Sequence, residues 1–141
     1  MVYQHSMFAT TCELAGVPVP KTVEFPSLVD LLKGEGSEKH DAVFSFYRNF
    51  QRGVRTKEHK LIVYPLARET QLFDLKKDPW ETRNLAEKPA YAGVKRALFE
   101  RLYRFQRDLE DDLVISDPAL ASADASAETR RFLRRESYAV R

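Results

Sequence analysis

Tyr91, Val94, Leu98, Leu102, Phe105 and Leu109 recur at spacings of three, four, four, three and four residues. No other part of the chain carries so regular an apolar period, and a helix with one apolar stripe must bury it against a partner surface. Pro89 lies just upstream, in the first turn, where its missing N–H is not needed. Charged residues from Lys95 to Asp111 fill the other side and form the i,i+4 pairs Glu100–Arg104, Arg104–Asp108 and Arg107–Asp111. Each exposed pair adds only ~0.3–0.5 kcal/mol, against ~1.5–3 kcal/mol for each large apolar side chain fully buried. The stripe decides where this helix goes.

The partner surface lies upstream. Ala42 to Tyr47 alternates as a strand, with Val43, Ser45 and Tyr47 on one face and Phe44 and Phe46 on the other. Arg52 to Thr56 follows, with Gly53 marking a bulge. Lys60 to Tyr64 is a third strand, stopped by Pro65, and Thr70 to Leu75 a fourth. Their short connections favour antiparallel neighbours, because parallel pairing needs a long crossover. The expectation is an α+β fold, a four-stranded antiparallel meander covered by one long C-terminal helix. Between sheet and helix, Asp78-Pro79 fixes a turn. Glu81 and Asn84 there offer short-range partners to backbone donors.

A helical segment precedes the sheet. Residues 2–15 favour a helix whose broad apolar face comprises Tyr3, Met7, Phe8, Cys12, Leu14 and Ala15. Gly16 suits a left-handed stop, and Pro18 and Pro20 forbid continuation. A second short helix begins at Pro26-Ser27-Leu28, with Leu28, Leu31 and Leu32 inward and Gly34 or Gly36 at its end. Ser37 to His40 reads as a polar linker. Past Leu113 the chain turns to an Ala-, Ser- and Asp-rich stretch and then a basic helical tail, Glu128 to Tyr138.

The composition excludes more than it selects. The 141 residues suit one domain with a sizeable core. A net charge of +2 is too weak to argue for nucleic acid, since domains that bind it usually carry a concentrated basic face. The arginines at Arg130, Arg131, Arg134 and Arg135 read as a solvated helix end rather than a grip on an acidic partner. No apolar run reaches membrane-spanning length, and the first residues lack the pattern of a signal peptide. The chain therefore reads as soluble, with its compartment open. The single cysteine, Cys12, sits on an apolar helical face without Lys or Arg beside it, which suits packing rather than a thiolate. His5, His40 and His59 lie far apart and form no metal-ligand spacing. Asp111-Asp112 points in two directions at a helix end and reads as capping. Phosphate-loop, dinucleotide and nucleophile-elbow motifs are absent. The most site-like patch is Tyr47-Arg48-Asn49-Phe50-Gln51-Arg52, between the first two strands, where Tyr47, Arg48 and Arg52 are candidates for holding an anionic substrate. The competing reading is a polar hairpin with its arginines laid along the sheet.

Taken as a set, several strings resemble the C-terminal subdomain of type I sulfatases. They are Arg52-x-x-Arg55-Thr56, His59 to Tyr64, Gln71 to Leu75, Asp78-Pro79-x-Glu81 and Asn84-Leu85-Ala86. Upstream, Thr10 to Val17 is similar to that family's helix ending in Leu-Ala-Gly. Ser27-Leu28-x-x-Leu31-Leu32-Lys33-Gly34 is similar to its next element, with Asp30 where proline is common. Ser6 and Ala9 stand where relatives often have Asp and Pro.

The resemblance implies the same sheet and helix as the residues do. It also implies three parts: 1–36 resembling the end of a catalytic domain, 37–113 the α+β subdomain, and 114–141 a linker and basic tail. Type I sulfatases hydrolyse sulfate esters with a formylglycine, made within Cys/Ser-x-Pro/Ala-x-Arg, and a calcium ion held by carboxylates. Cys12 is followed by Glu13-Leu14-Ala15-Gly16, so that motif does not carry over. No catalytic residue, metal ligand or cofactor is expected in this chain; calcium and formylglycine belong to a full-length parent. The expected role is to buttress a catalytic domain and shape its cleft, inactive alone. The alternative is a stand-alone binding or oligomerisation module. The expected partners are a catalytic domain in cis, or a second copy through residues 2–32, with a sulfated substrate only in the full-length parent.

Overall fold

The computed structural model describes residues 1–36 and 40–115, so most of the linker and the whole basic tail lie outside the described residues. The chain divides into two compact units, Met1–Val43 and Phe44–Arg141.

In the first unit, α1 spans Ser6–Leu14 and α2 spans Val29–Lys33. Gly16, at φ +67°, closes α1: its N–H bonds to Glu13 O at 3.1 Å and that of Val17 to Cys12 O at 2.9 Å. This double closure requires a left-handed residue, which glycine adopts without steric penalty. Gly34, at φ +79°, ends α2 in the same way. Helix α1 is shorter than its apolar pattern suggests, and its buried residues are Ser6, Ala9 and Thr10. Met7, Phe8 and Leu14, placed on its apolar face by the sequence, are 54–68% exposed. In α2, Val29 rather than Leu32 is buried.

From Ala42 onward, β1 (Ala42–Tyr47), β2 (Gln51–Thr56), β3 (His59–Tyr64) and β4 (Glu69–Asp74) form a sheet in sequence order. The pairing of β2 with β3 and of β3 with β4 is antiparallel. The register is unbroken through Gly53, which faces Ile62, so no bulge interrupts β2 on that side. The position is close-packed: a Cβ would lie 2.8 Å from Ser45 Oγ and 3.3 Å from Leu61 O, so a larger residue forces Ser45 to turn.

A 3₁₀ turn, Pro89–Tyr91, leads into α3 (Ala92–Asp108). Leu98, Phe99 and Leu102 are its buried apolar residues, packed among a core that includes Val54, Leu61, Val63 and Leu72. The stripe is therefore rotated from the one the spacing picks out: Phe99 joins it, while Leu109, beyond the helix end, is exposed. Lys95, placed on the polar side by the sequence, is buried, with Nζ 3.4 Å from Glu87 Oε1.

The outer edge of β4 is not left open. Asn84 Oδ1 accepts from Leu72 N and Ala86 N, both at 3.0 Å, and its Nδ2 donates to Thr70 O at 3.1 Å. Leu85 N adds a bond to Leu72 O at 2.8 Å. The side chain thus mimics a short fifth strand and covers donors that would otherwise invite foreign pairing. Asp78 holds the preceding turn through Arg83 N at 2.8 Å and Thr82 Oγ1 at 3.1 Å.

Candidate functional site

The three residues singled out at the β1–β2 connection are parted by the alternation of the strands. Arg52 lies on the face covered by α3, as does Phe44, which stacks on Phe105 at 5.8 Å. Tyr47 points to the opposite face. Arg48 occupies the turn, where Phe50 N bonds to Tyr47 O at 3.0 Å.

Arg52 is only 5% exposed. Its Nε and Nη2 donate to Asp111 Oδ2 and Oδ1 at 2.5 and 2.7 Å, a two-pronged pairing. Nη1 donates to Arg48 O and, at 2.9 Å, to Gln51 O, and the guanidinium carbon lies 5.6 Å from the Phe46 ring centroid. This arginine is committed within the protein and ties the hairpin to the far end of α3.

The end of α3 explains how Asp111 arrives there. Glu110 takes a left-handed φ of +53°, its N–H bonding to Arg107 O at 3.3 Å and that of Asp111 to Gln106 O at 2.8 Å. Glycine usually serves at such a stop. Where this motif ordinarily adds an apolar contact, Gln106 Nε2 donates to Asp111 Oδ2 at 3.0 Å and to Leu113 O at 2.8 Å. Burial raises the Asp111 carboxyl pKa. Hydrogen bonds from the Arg52 and Gln106 side chains and from Leu113 N–H, with the Arg52 charge, outweigh it and hold the group below the usual carboxylate value. The expected Arg107–Asp111 pair does not form across the helix, which ends at Asp108, and Arg107 Nε instead lies 3.4 Å from Asp108 Oδ1.

What the turn offers to solvent is different. Arg48 has φ +43°, the left-handed conformation that the first central position of a tight two-residue hairpin turn takes. Its guanidinium carbon is 6.0 Å from the Tyr47 ring centroid, and Tyr47 stacks on Phe50 at 6.0 Å. Phe46, Tyr47 and Phe50 are all exposed. A cation beside aromatic faces can receive a ring that has an apolar face and bears an anionic group.

The residues do not fit a calcium centre or a formylglycine nucleophile. Among the described residues no group of three or more His, Cys, Asp or Glu side chains could hold a metal ion. Both oxygens of Asp111 already accept from Arg52. No described helix is long and apolar enough to cross a membrane. The sequence pointed to the patch from Tyr47 to Arg52, Phe50 included, but not to Phe46 or to Asp111 as its anchor. An aromatic residue directly before the patch was a readable signal for Phe46. Asp111, 59 residues from Arg52, gave none.

Residues 1–108 match the family described as N-sulphoglucosamine sulphohydrolase, C-terminal. A Delta 4,5-hexuronate-2-O-sulfatase of Bacteroides thetaiotaomicron is 33% identical over 124 residues, covering 79% of this chain and 26% of the relative. A solved protein in complex with its substrate, D-glucosamine-2-N,6-O-disulfate, superposes with a TM-score of 0.62 at 29% identity, over 73% of this chain and 23% of that one. The chain thus spans about a quarter of each of these proteins. An uncharacterised protein of Haemophilus influenzae is 27% identical over 118 residues, and 60% of its length is covered.

Proposed function

The chain belongs to the N-sulphoglucosamine sulphohydrolase C-terminal family, and from that premise we propose that it is the C-terminal portion of a sulfatase, buttressing a catalytic domain and forming one wall of its cleft. The observation that carries this reading is the match over residues 1–108, set against relatives of which the chain covers only about a quarter. The catalytic groups of a formylglycine enzyme belong, on this reading, to polypeptide beyond these residues, and this chain is inactive alone. The exposed apolar residues Met7, Phe8 and Leu14 suit burial against that domain.

At the hairpin, Tyr47 and Arg48 contact the anionic substrate, joined by Phe50. Arg52 contributes by holding the turn in place through Asp111. The relatives support a sulfated sugar as the substrate class, since one is a hexuronate sulfatase and another was solved with a disulfated glucosamine.

The test is a chromogenic sulfate-ester assay on this chain alone and on an enzyme in which it follows a catalytic domain of the family. The chain alone should stay at background, and the joined enzyme should turn over. Dose-dependent hydrolysis by the isolated chain would overturn the reading. In the joined enzyme, Arg48→Ala should raise KM about tenfold or more without altering the unfolding midpoint.

The Haemophilus protein, far shorter relative to this chain than the sulfatase is, favours a second reading. In it the chain is a stand-alone module derived from a sulfatase that binds a partner or its own copy. A stable, active joined enzyme argues for the first reading; a soluble, tightly self-associating chain that fails to complement any catalytic domain argues for the second.

A further inference from the structure

At the other end of the sheet from the Tyr47–Phe50 turn lies a cavity of about 450 Å³, within the size range of small-molecule sites. It forms where the β2–β3 turn, the end of β4 and the start of α3 meet. Ala90, Tyr91 and Val94 give it an apolar wall, and Glu58, His59, Asp74, Lys76 and Lys77 give it polar groups.

The polar groups are arranged asymmetrically. Asp74 Oδ2 accepts from Tyr91 Oη and from Lys77 Nζ, each at 3.2 Å, and Lys77 Nζ also donates to Tyr91 Oη at 3.3 Å. The Asp74 side chain is 8% exposed and that of Lys77 76%. The carboxylate therefore lies beneath and the ammonium on top, held over the Tyr91 ring at 5.7 Å with one N–H still to give. Hydrogen bonds to Asp74 and Tyr91, together with the Asp74 charge, raise the Lys77 pKa. Lys76 matches the charge of Glu58 at the rim. His59 meets Tyr91 edge to face at 6.4 Å, and its imidazole nitrogens make no hydrogen bond among the described residues. The wall thus combines a ring face, a fixed outward cation and an unengaged imidazole.

We infer that this cavity binds one acidic sugar unit, its ring against Tyr91 and Val94 and its oxyanion on Lys77 and His59. The choice of a sugar rests on the sulfated-sugar reading above; the cavity and its charge pattern do not. An amphiphilic ring suits an aromatic wall; because the two lysine–carboxylate pairs already cancel, the oxyanion is held by hydrogen bonds from Lys77 Nζ and the His59 imidazole rather than by net charge.

The experiment is a titration of the ¹⁵N-labelled chain with glucose 6-sulfate, glucuronate, glucose and sodium sulfate, following the amides of His59, Lys77, Tyr91 and Val94. Glucose 6-sulfate, glucuronate or both should shift these resonances saturably, and which of them does identifies the oxyanion. Lys77→Gln should weaken that binding at least tenfold with the spectrum otherwise kept. If Lys77→Gln disturbs the fold, His59→Gln is read in its place. No saturable shift, or equal shifts with glucose, would overturn the inference. Equal shifts with sodium sulfate would reduce the site to an adventitious ion only, and that too would overturn it. Binding to this chain and turnover by a joined enzyme are separate readouts, so either proposal can fail while the other stands.

Discussion

Arg52 and Asp111 show how unequal two halves of one ion pair can be. The side chain of Arg52 is 6% exposed and that of Asp111 16%. Asp111→Ala strands a buried guanidinium, and the expected loss is roughly 3–5 kcal/mol in urea unfolding. Arg52→Ala leaves a carboxylate that water can reach, so its cost should be smaller. Equal losses would contradict this. The pair also sets a pH response. Asp111 has a folded-state pKa below its unfolded value of about 3.9, so the unfolded chain takes up its proton first. Its contribution is complete above that unfolded value and disappears as pH falls through the folded one. The stability gap between wild type and Asp111→Asn should therefore narrow as pH drops from 6 toward 2; a constant gap would refute the assignment.

Among the elements, α3 carries the core; its start lines the cavity, and Asp111 just past its end anchors the Tyr47–Phe50 turn through Arg52. Leu102 is fully buried and Leu98 nearly so. Alanine at either should cost about 2–5 kcal/mol, and an unchanged midpoint would remove the helix from the core. At the helix end, Glu110→Gly should stabilise the chain by up to about 1 kcal/mol, because glycine takes the left-handed conformation without a Cβ clash. Gly53 predicts the opposite: alanine there drives a methyl toward Ser45 Oγ and should destabilise the sheet, with Ser45→Gly restoring part of the loss. On the β4 edge, Asn84→Leu removes the partners of Leu72 N and Ala86 N and should speed amide exchange at both.

At the scale of the molecule, the apolar residues of α1 ask for company. Exposed clusters of this kind seldom stay bare in soluble proteins. The isolated chain is expected to self-associate with increasing concentration in sedimentation velocity, and Met7→Ser with Phe8→Ser should abolish that. A monomer at all concentrations with α1 firmly protected from exchange would count against the buttress reading.

Periodicity, turn chemistry and short connections were enough to derive from residues alone the meander, the long helix and the glycine stop of α1, because each is set within a few neighbouring positions. The strand ends fell within a residue of those observed for the same reason. The tertiary structure alone decided which side of α3 is buried, how closely Gly53 is packed, that Arg52 turns inward to Asp111, and that Tyr91 and Lys77 gather around Asp74. Those outcomes depend on where chain segments distant in sequence come to lie, and on whether a charge finds its partner before it finds water. Local patterning holds no information about either.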